Sequence, residues 1–252
     1  MTTSLGSVPG QPLPPMWQNL LGIIDKPLTT FGQVLARQSR WRWGLPLLLF
    51  LIAFAIATAV QTPYLLETAR AQAESQLATM PKEQAAAARE AMQFTLSLPF
   101  LLGTGLGFGG IALVIGMLAQ TVYFYFGAML AGGDDLSFGD MFAVSTWSRI
   151  PLAIGLLVQA ALTLITRGAI QYPGLAMLVA SGDQMADAKN PLVPLLARVD
   201  LFWLWHLLLV VLGVAVAAKF GRGKSLALTL LYAALVLALA VAPSFLARAF
   251  GG

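Results

Sequence analysis

A chain of 252 residues that is 58% hydrophobic and 10% charged, with a mean hydropathy of +0.78, carries more apolar surface than one soluble core hides. Ordinary soluble domains are roughly 45–50% apolar and about 25% charged. The absence of cysteine excludes disulfides, thiolate metal sites and cysteine nucleophiles, and a single histidine leaves zinc without a ligand set, so no metal or cofactor is expected. The net charge of +4 is not a nucleic-acid footprint, because the 15 Lys and Arg are scattered between apolar runs, where they act as topology signals.

Residues 1–16 are rich in Pro, Gly and Ser and predict a disordered tail. They hold no charged region feeding a short apolar run, so no cleaved signal peptide is expected. From Trp17, apolar residues recur at helical spacing in two groups separated by Pro27, which predicts two short amphipathic helices. The second group runs into Arg37, Arg40, Trp41, Arg42 and Trp43, residues suited to a membrane surface with anionic headgroups. The segment either lies on the cytoplasmic face or packs beneath the transmembrane helices.

About 20 apolar residues at 1.5 Å rise cross a hydrocarbon core of about 30 Å. On that scale residues 45–66 form a first span, with Pro46 and Pro63 at its ends, and residues 67–92 follow as two polar amphipathic helices outside the bilayer. Residues 97–130 are uncharged and too long for one perpendicular crossing; one long or tilted span is expected, with a re-entrant part as the alternative. Residues 132–135, Gly-Gly-Asp-Asp, lead into a third span at 141–166. A loop with short helices follows, then a fourth span at 201–218, a basic turn of Lys219, Arg222 and Lys224, a fifth span at 226–246, and a short tail at 248–252. The expected fold is an all-α, polytopic transmembrane bundle of about five spans, occupying residues 17–247, with amphipathic interfacial helices. The basic clusters Arg37, Arg40, Arg42 and Lys219, Arg222, Lys224 fall on one side of such a bundle, which places the N-terminus in the cytoplasm and the C-terminus outside a plasma (bacterial inner) membrane.

The opening LLGIIDKPLTTFGQVL, the turn GGDDLSF leading to SRIP at Ser148–Pro151, and the stretch NPLVPLLARVDLFWLWHLLLVVLGVAVAAKFGRGKSLA resemble the Yip-type (Ypt-interacting protein) domain family, in its bacterial branch. The resemblance implies a five-span domain with a cytoplasmic N-terminus and supplies no settled biochemical activity. In eukaryotic relatives it implies association with small Rab-type GTPases. The long acidic N-terminal region and the Asp-Leu-Tyr-Gly-Pro signature that accompany that role are missing from this sequence, so Rab-type GTPase binding is not expected.

Several residues invite a functional reading. Gly103, Gly105, Gly107 and Gly109 contain two G-x-x-x-G spacings, which favour close helix approach inside the bundle or in a homo-oligomer. Gly223-Lys224-Ser225 echoes the end of a phosphate-binding loop, but Ala218 stands where the upstream glycine belongs. Arg149 lies within the third span, where an ionised side chain costs at least about 2.5 kcal/mol unless relieved; it either snorkels or pairs with Asp140, Asp134 or Asp135, or it lines a polar cavity that Pro151 helps to open. Asp200 caps the fourth span or pairs with Arg167 or Arg198, and His206 is either a satisfied hydrogen-bonding residue or a proton relay. Gln120, Gln159, Thr163, Ser145 and Ser148 are candidates for bonds across helices. No catalytic constellation is present in the sequence. A non-enzymatic scaffold or adaptor acting through lipid, itself or other membrane proteins is the first expectation. A transporter, channel or permease accessory component with a polar site around Arg149 is the second.

Overall fold

The computed structural model describes residues 13–250, and every regular element among them is helical. In chain order these are α1 (Gln18–Asp25), α2 (Pro27–Leu35), α3 (Trp41–Ala78), α4 (Lys82–Thr95), α5 (Leu98–Leu130), α6 (Phe138–Trp147), α7 (Ile150–Thr166), a 3₁₀ turn at Ala176–Leu178, α8 (Gln184–Lys189), α9 (Leu192–Ala197), α10 (Leu201–Ala217) and α11 (Arg222–Phe250). Four helical stretches are long and apolar enough to cross a membrane: Trp41–Ala78, Leu98–Leu130, Phe138–Thr166 and Arg222–Leu246. The apolar α10 is shorter, at 17 residues.

The chain forms two compact units. The first comprises residues up to Phe50, Met117–Leu152 and Tyr172 onward; the second comprises Leu51–Gly116 and Ala153–Gln171. In the first unit the core forms where α2, α6 and α10 converge. Phe31 and Val34 from α2, Met141, Val144 and Trp147 from α6, and Leu209, Val210 and Val214 from α10 are almost wholly buried. Gly213 makes this convergence close: a Cβ there would sit 2.6 Å from Val144 Cγ1 and 2.9 Å from the Phe31 ring. In lipid, where packing drives helix association, such a missing side chain lets backbones approach. Between the two readings of the N-terminal segment, burial of Ile23, Phe31 and Val34 selects packing against the bundle for the inner faces of α1 and α2. Trp17, Leu21 and Ile24 remain exposed on the outer face of this segment.

In the second unit α3 and α5 meet through glycines, and the C-terminal part of α3 is tied to the start of α5 by the Arg70 guanidinium, which donates to Leu96 O at 2.8 and 3.2 Å. No residue of α4 is buried.

Three features depart from the sequence expectation. Residues 67–78 are not a separate helix but continue α3, because Glu, Ala, Arg and Gln propagate the helix and Pro63 is tolerated within it. By contrast, the stretch at 97–130 is one uninterrupted helix, α5, in line with one long element. The third stretch is broken at Ser148–Arg149. Finally α11 runs to Phe250, so the short tail predicted from 248 begins as helix; Arg248 Nε donates to Lys189 O at 2.6 Å. The rest of that tail, 251–252, and residues 1–12 of the predicted N-terminal tail lie outside the described residues.

Candidate functional site

The break between α6 and α7 has a local cause. In an unbroken helix the N–H of residue 151 would bond Trp147 O, but Pro151 has no N–H and its ring collides with that carbonyl. The chain tightens instead: Ser148 N donates to Val144 O at 3.0 Å and Arg149 N to Thr146 O at 3.2 Å. Ser148 O is thereby turned toward α10, where His206 Nδ1 lies 2.8 Å away. A carbonyl only accepts, so Nδ1 carries a proton and the histidine is held in one orientation. At 2% exposure His206 is a buried, hydrogen-bonded side chain.

Arg149 sits in this turn. Its Nη2 donates to Gln120 Oε1 of α5 at 2.7 Å, and its Cζ lies 5.9 Å from the Phe50 ring centre. Tyr232 of α11 brings its hydroxyl to 3.4 Å from the same Oε1. Gln120 is 1% exposed. Beside it, Thr121 Oγ1 lies 3.0 Å from Ser145 Oγ, the cross-helix bond expected of Ser145, whereas Ser148 Oγ donates within its own helix to Ser145 O at 3.1 Å. Two buried nitrogens of the cluster have no partner: Arg149 Nε and Gln120 Nε2. Both are donors only.

The acids expected to neutralise Arg149 do not reach it. Asp140 pairs with Arg42 at 2.7 Å and Asp135 with Lys219 at 3.1 Å. Among the described residues no carboxylate lies within ion-pair distance of Arg149. The reason is geometric: Asp140 lies nine positions up the chain, about 13 Å of helical rise from Arg149, and Arg42 is closer.

The other predicted residues fall as follows. Asp200 is the N-cap of α10, its Oδ1 accepting from Trp203 N at 2.7 Å, and it pairs with neither Arg167 nor Arg198. Of the glycines on α5, Gly105 and Gly109 face α3, a Cβ there lying 3.2 Å from Thr58 Cγ2 and 2.7 Å from Phe54 Cζ; Gly103 and Gly107 have nothing within 4 Å. Gln159, with Gln61, lines a cleft of about 320 Å³ in the second unit, while Thr163 is buried without a partner for its hydroxyl. The basic residues also divide. Arg42 is bound to Asp140, and Arg37 donates to Pro14 O, whereas Arg40 and Arg222 are exposed. Lys224 donates to Ala131 O at 2.8 Å.

The sequence did not join Gln120 to Arg149 or bring in Tyr232. The available signal was that Gln120 is the lone carboxamide in a 33-residue apolar helix. A second polar centre was also missed: between α7 and α10, Asp187 of α8 accepts from Ser181 N and Oγ at 2.8 and 2.9 Å, from Gly182 N at 3.2 Å and from the Tyr172 hydroxyl at 2.5 Å. These bonds, led by the Ser181 N–H, hold its carboxyl below the usual carboxylate range, and the bond to Asp187 raises the Tyr172 hydroxyl.

Compared with known proteins, a family model described as the Yip1 domain matches residues 21–243. No curated protein and no solved structure matches.

Proposed function

Because the chain belongs to the Yip1 domain family and is a multi-pass integral membrane protein, we propose that it is a five-span, non-enzymatic adaptor of a bacterial plasma membrane. It organises lipid and other membrane proteins through helix faces. The observation that carries this reading is the contrast along α5: Gly105 and Gly109 are occupied by α3, while Gly103 and Gly107 stand open on a helix that crosses lipid.

The five-span reading, with 17–247 as the membrane domain, counts α10 as a crossing although it rises only about 26 Å. Its support lies at both ends of α10 and α11. Lys219, after α10, pairs with Asp135, and Lys224, in the first turn of α11, bonds Ala131 O. At the opposite end of α11, Arg248 bonds Lys189 O in the loop that leads to α10. Both helices therefore join the same two sides. Arg42 at the start of α3, and Lys219 and Lys224 on either side of the start of α11, all contact residues 131–140, consistent with a common cytoplasmic face and an outer C-terminus.

Crosslinking in native membranes, followed by tagged pull-down and mass spectrometry beside a matched control membrane protein, tests the adaptor. Recovery of a defined protein or of the chain itself is expected; recovery of nothing beyond the control removes it. The second reading, a transporter, channel or permease accessory component, draws on Arg149, which no acid among the described residues neutralises. Anion or solute flux in vesicles, equal for the wild type and Arg149→Gln, would remove that one.

A further inference from the structure

We propose that Arg149 and Gln120, at the α6–α7 break, form an intramembrane anion site that takes one carboxylate or phosphate group. The inference rests on the polar-site reading of Arg149 and names its ligand class.

The cluster is donor-rich and acceptor-poor. Arg149 offers five N–H groups and no acceptor; one nitrogen meets Gln120 Oε1, and Nε is buried without a partner. Gln120 spends its only oxygen on Arg149 and Tyr232, and its Nε2, with two N–H groups, is buried and unpartnered. Ser148 O, the acceptor that the break frees, is taken by His206. The described residues therefore hold a cation and unsatisfied donors without the charge that would balance them. An oxyanion supplies what is missing: negative charge, and several lone pairs that Arg recognises in a forked geometry. The break adds a second contribution, since the positive end of the 17-residue α7 begins at Ile150, immediately after Arg149. Discontinuous helices that offer an N-terminus to an anionic group inside a membrane are a recurring solution to the same problem. Arg149 itself is not wholly covered.

Gln120→Glu is the informative variant. It is nearly isosteric and places a carboxylate where an oxygen already lies 2.7 Å from the guanidinium, so the chain neutralises its own cation. The full-length protein would be melted in mild detergent with inorganic phosphate, against chloride at equal ionic strength, and in nanodiscs of phosphatidylglycerol against phosphatidylcholine. The expected result is a higher melting midpoint with phosphate or with phosphatidylglycerol. Gln120→Glu should melt at or above the wild-type temperature yet weaken the response by about tenfold or more, and Arg149→Gln should lose it. A response to phosphate in detergent assigns a free anion; a response to phosphatidylglycerol alone assigns a lipid headgroup. No shift with either probe, or an undiminished shift in Gln120→Glu, overturns the site. Binding without flux would leave the site standing and remove the transport reading alone.

Discussion

Arg42 and Asp140 offer the most direct test of how the first unit is held together. Arg42 Nη1 lies 2.7 Å from Asp140 Oδ1 and 3.2 Å from Arg37 O, with the two side chains of the pair 19% and 24% exposed. The backbone of the same residue is anchored as well, because Trp147 Nε1 donates to Arg42 O at 2.5 Å. Charges about 4 Å apart at an effective dielectric of about 20 attract by about 4 kcal/mol, and desolvation of two mostly covered groups offsets more than half of that. A coupling energy of about 1–2 kcal/mol is expected, between the 0.2–1 kcal/mol of exposed pairs and the 3–5 kcal/mol lost when a buried pair is broken. A double-mutant cycle of Arg42→Met and Asp140→Asn, read by denaturant or thermal unfolding in one detergent, measures it. Arg42→Met should be the costlier single change, since Arg37 O then loses its donor too. A coupling below about 0.3 kcal/mol, the scatter of independent sites, would show that the pair forms without holding the start of α3 to α6.

Gly213→Ala should cost about 1–3 kcal/mol by overpacking, because its Cβ would fall 2.6 Å from Val144 and 2.9 Å from Phe31; an unchanged melting midpoint would refute the convergence of α2, α6 and α10. Gly107→Ala, with nothing within 4 Å, should leave the midpoint unchanged or raise stability by up to about 1 kcal/mol through helix propensity. If the open glycine face joins two copies, Gly107→Leu should remove the crosslinked dimer from native membranes while the monomer still folds. The loop around Asp187 should loosen on acidification. Its carboxyl is lowered in the folded state, so its contribution is complete above the unfolded value near 4 and is lost as pH falls through the lower folded value. Limited proteolysis between Tyr172 and Lys189 should speed up in that range, and Asp187→Ala should be cleaved fast at every pH. The raised Tyr172 hydroxyl adds the opposite dependence, present below about pH 10 and lost above it.

Hydrophobic runs made most of the fold legible before any coordinates. Residues 97–130, 201–218 and 226–246 carry almost no charge, and α5, α10 and α11 lie over them within a few residues, except at the C-terminal end of α11. Composition also marks the place where the reading failed. Glu67 to Ala78 is polar enough to leave the bilayer, yet leaving the bilayer does not end a helix, and its residues are strong helix formers. At the site the outcome follows the same division. Local rules were sufficient for the Asp200 cap and for a disturbance at Pro151, because both act within four residues. The contacts of Arg149, Gln120 and Phe50, lie 29 and 99 residues back, where pairing depends on helix rotation, which an all-apolar helix does not record in its sequence. The Asp187 loop has no periodicity at all, and its four bonds exist only once the turn at Ser181 and Gly182 has formed.

The distribution of acids explains why Arg149 has no carboxylate beside it among the described residues. Four acids of the first unit precede Arg149 in the chain: Asp25, Asp134, Asp135 and Asp140. Asp140 is committed to Arg42, Asp135 to Lys219, and Asp25 lies 3.8 Å from Lys26. Asp134 is exposed in the turn after α5. Each of these carboxylates stands outside or at the end of a helix, where an acid costs little, and three of the four meet a cation. Arg149 alone lies 11 residues inside the Phe138–Thr166 stretch, about 16 Å along it. A carboxylate placed there by the chain would neutralise it permanently. Instead the neighbouring helix presents Gln120, which orients the guanidinium through its oxygen, leaves the charge intact and turns two further donors toward no protein acceptor. That substitution of an amide for an acid separates a site that exchanges a ligand from a salt bridge that only holds helices together, and it is why changing one oxygen-bearing group at position 120 discriminates the two.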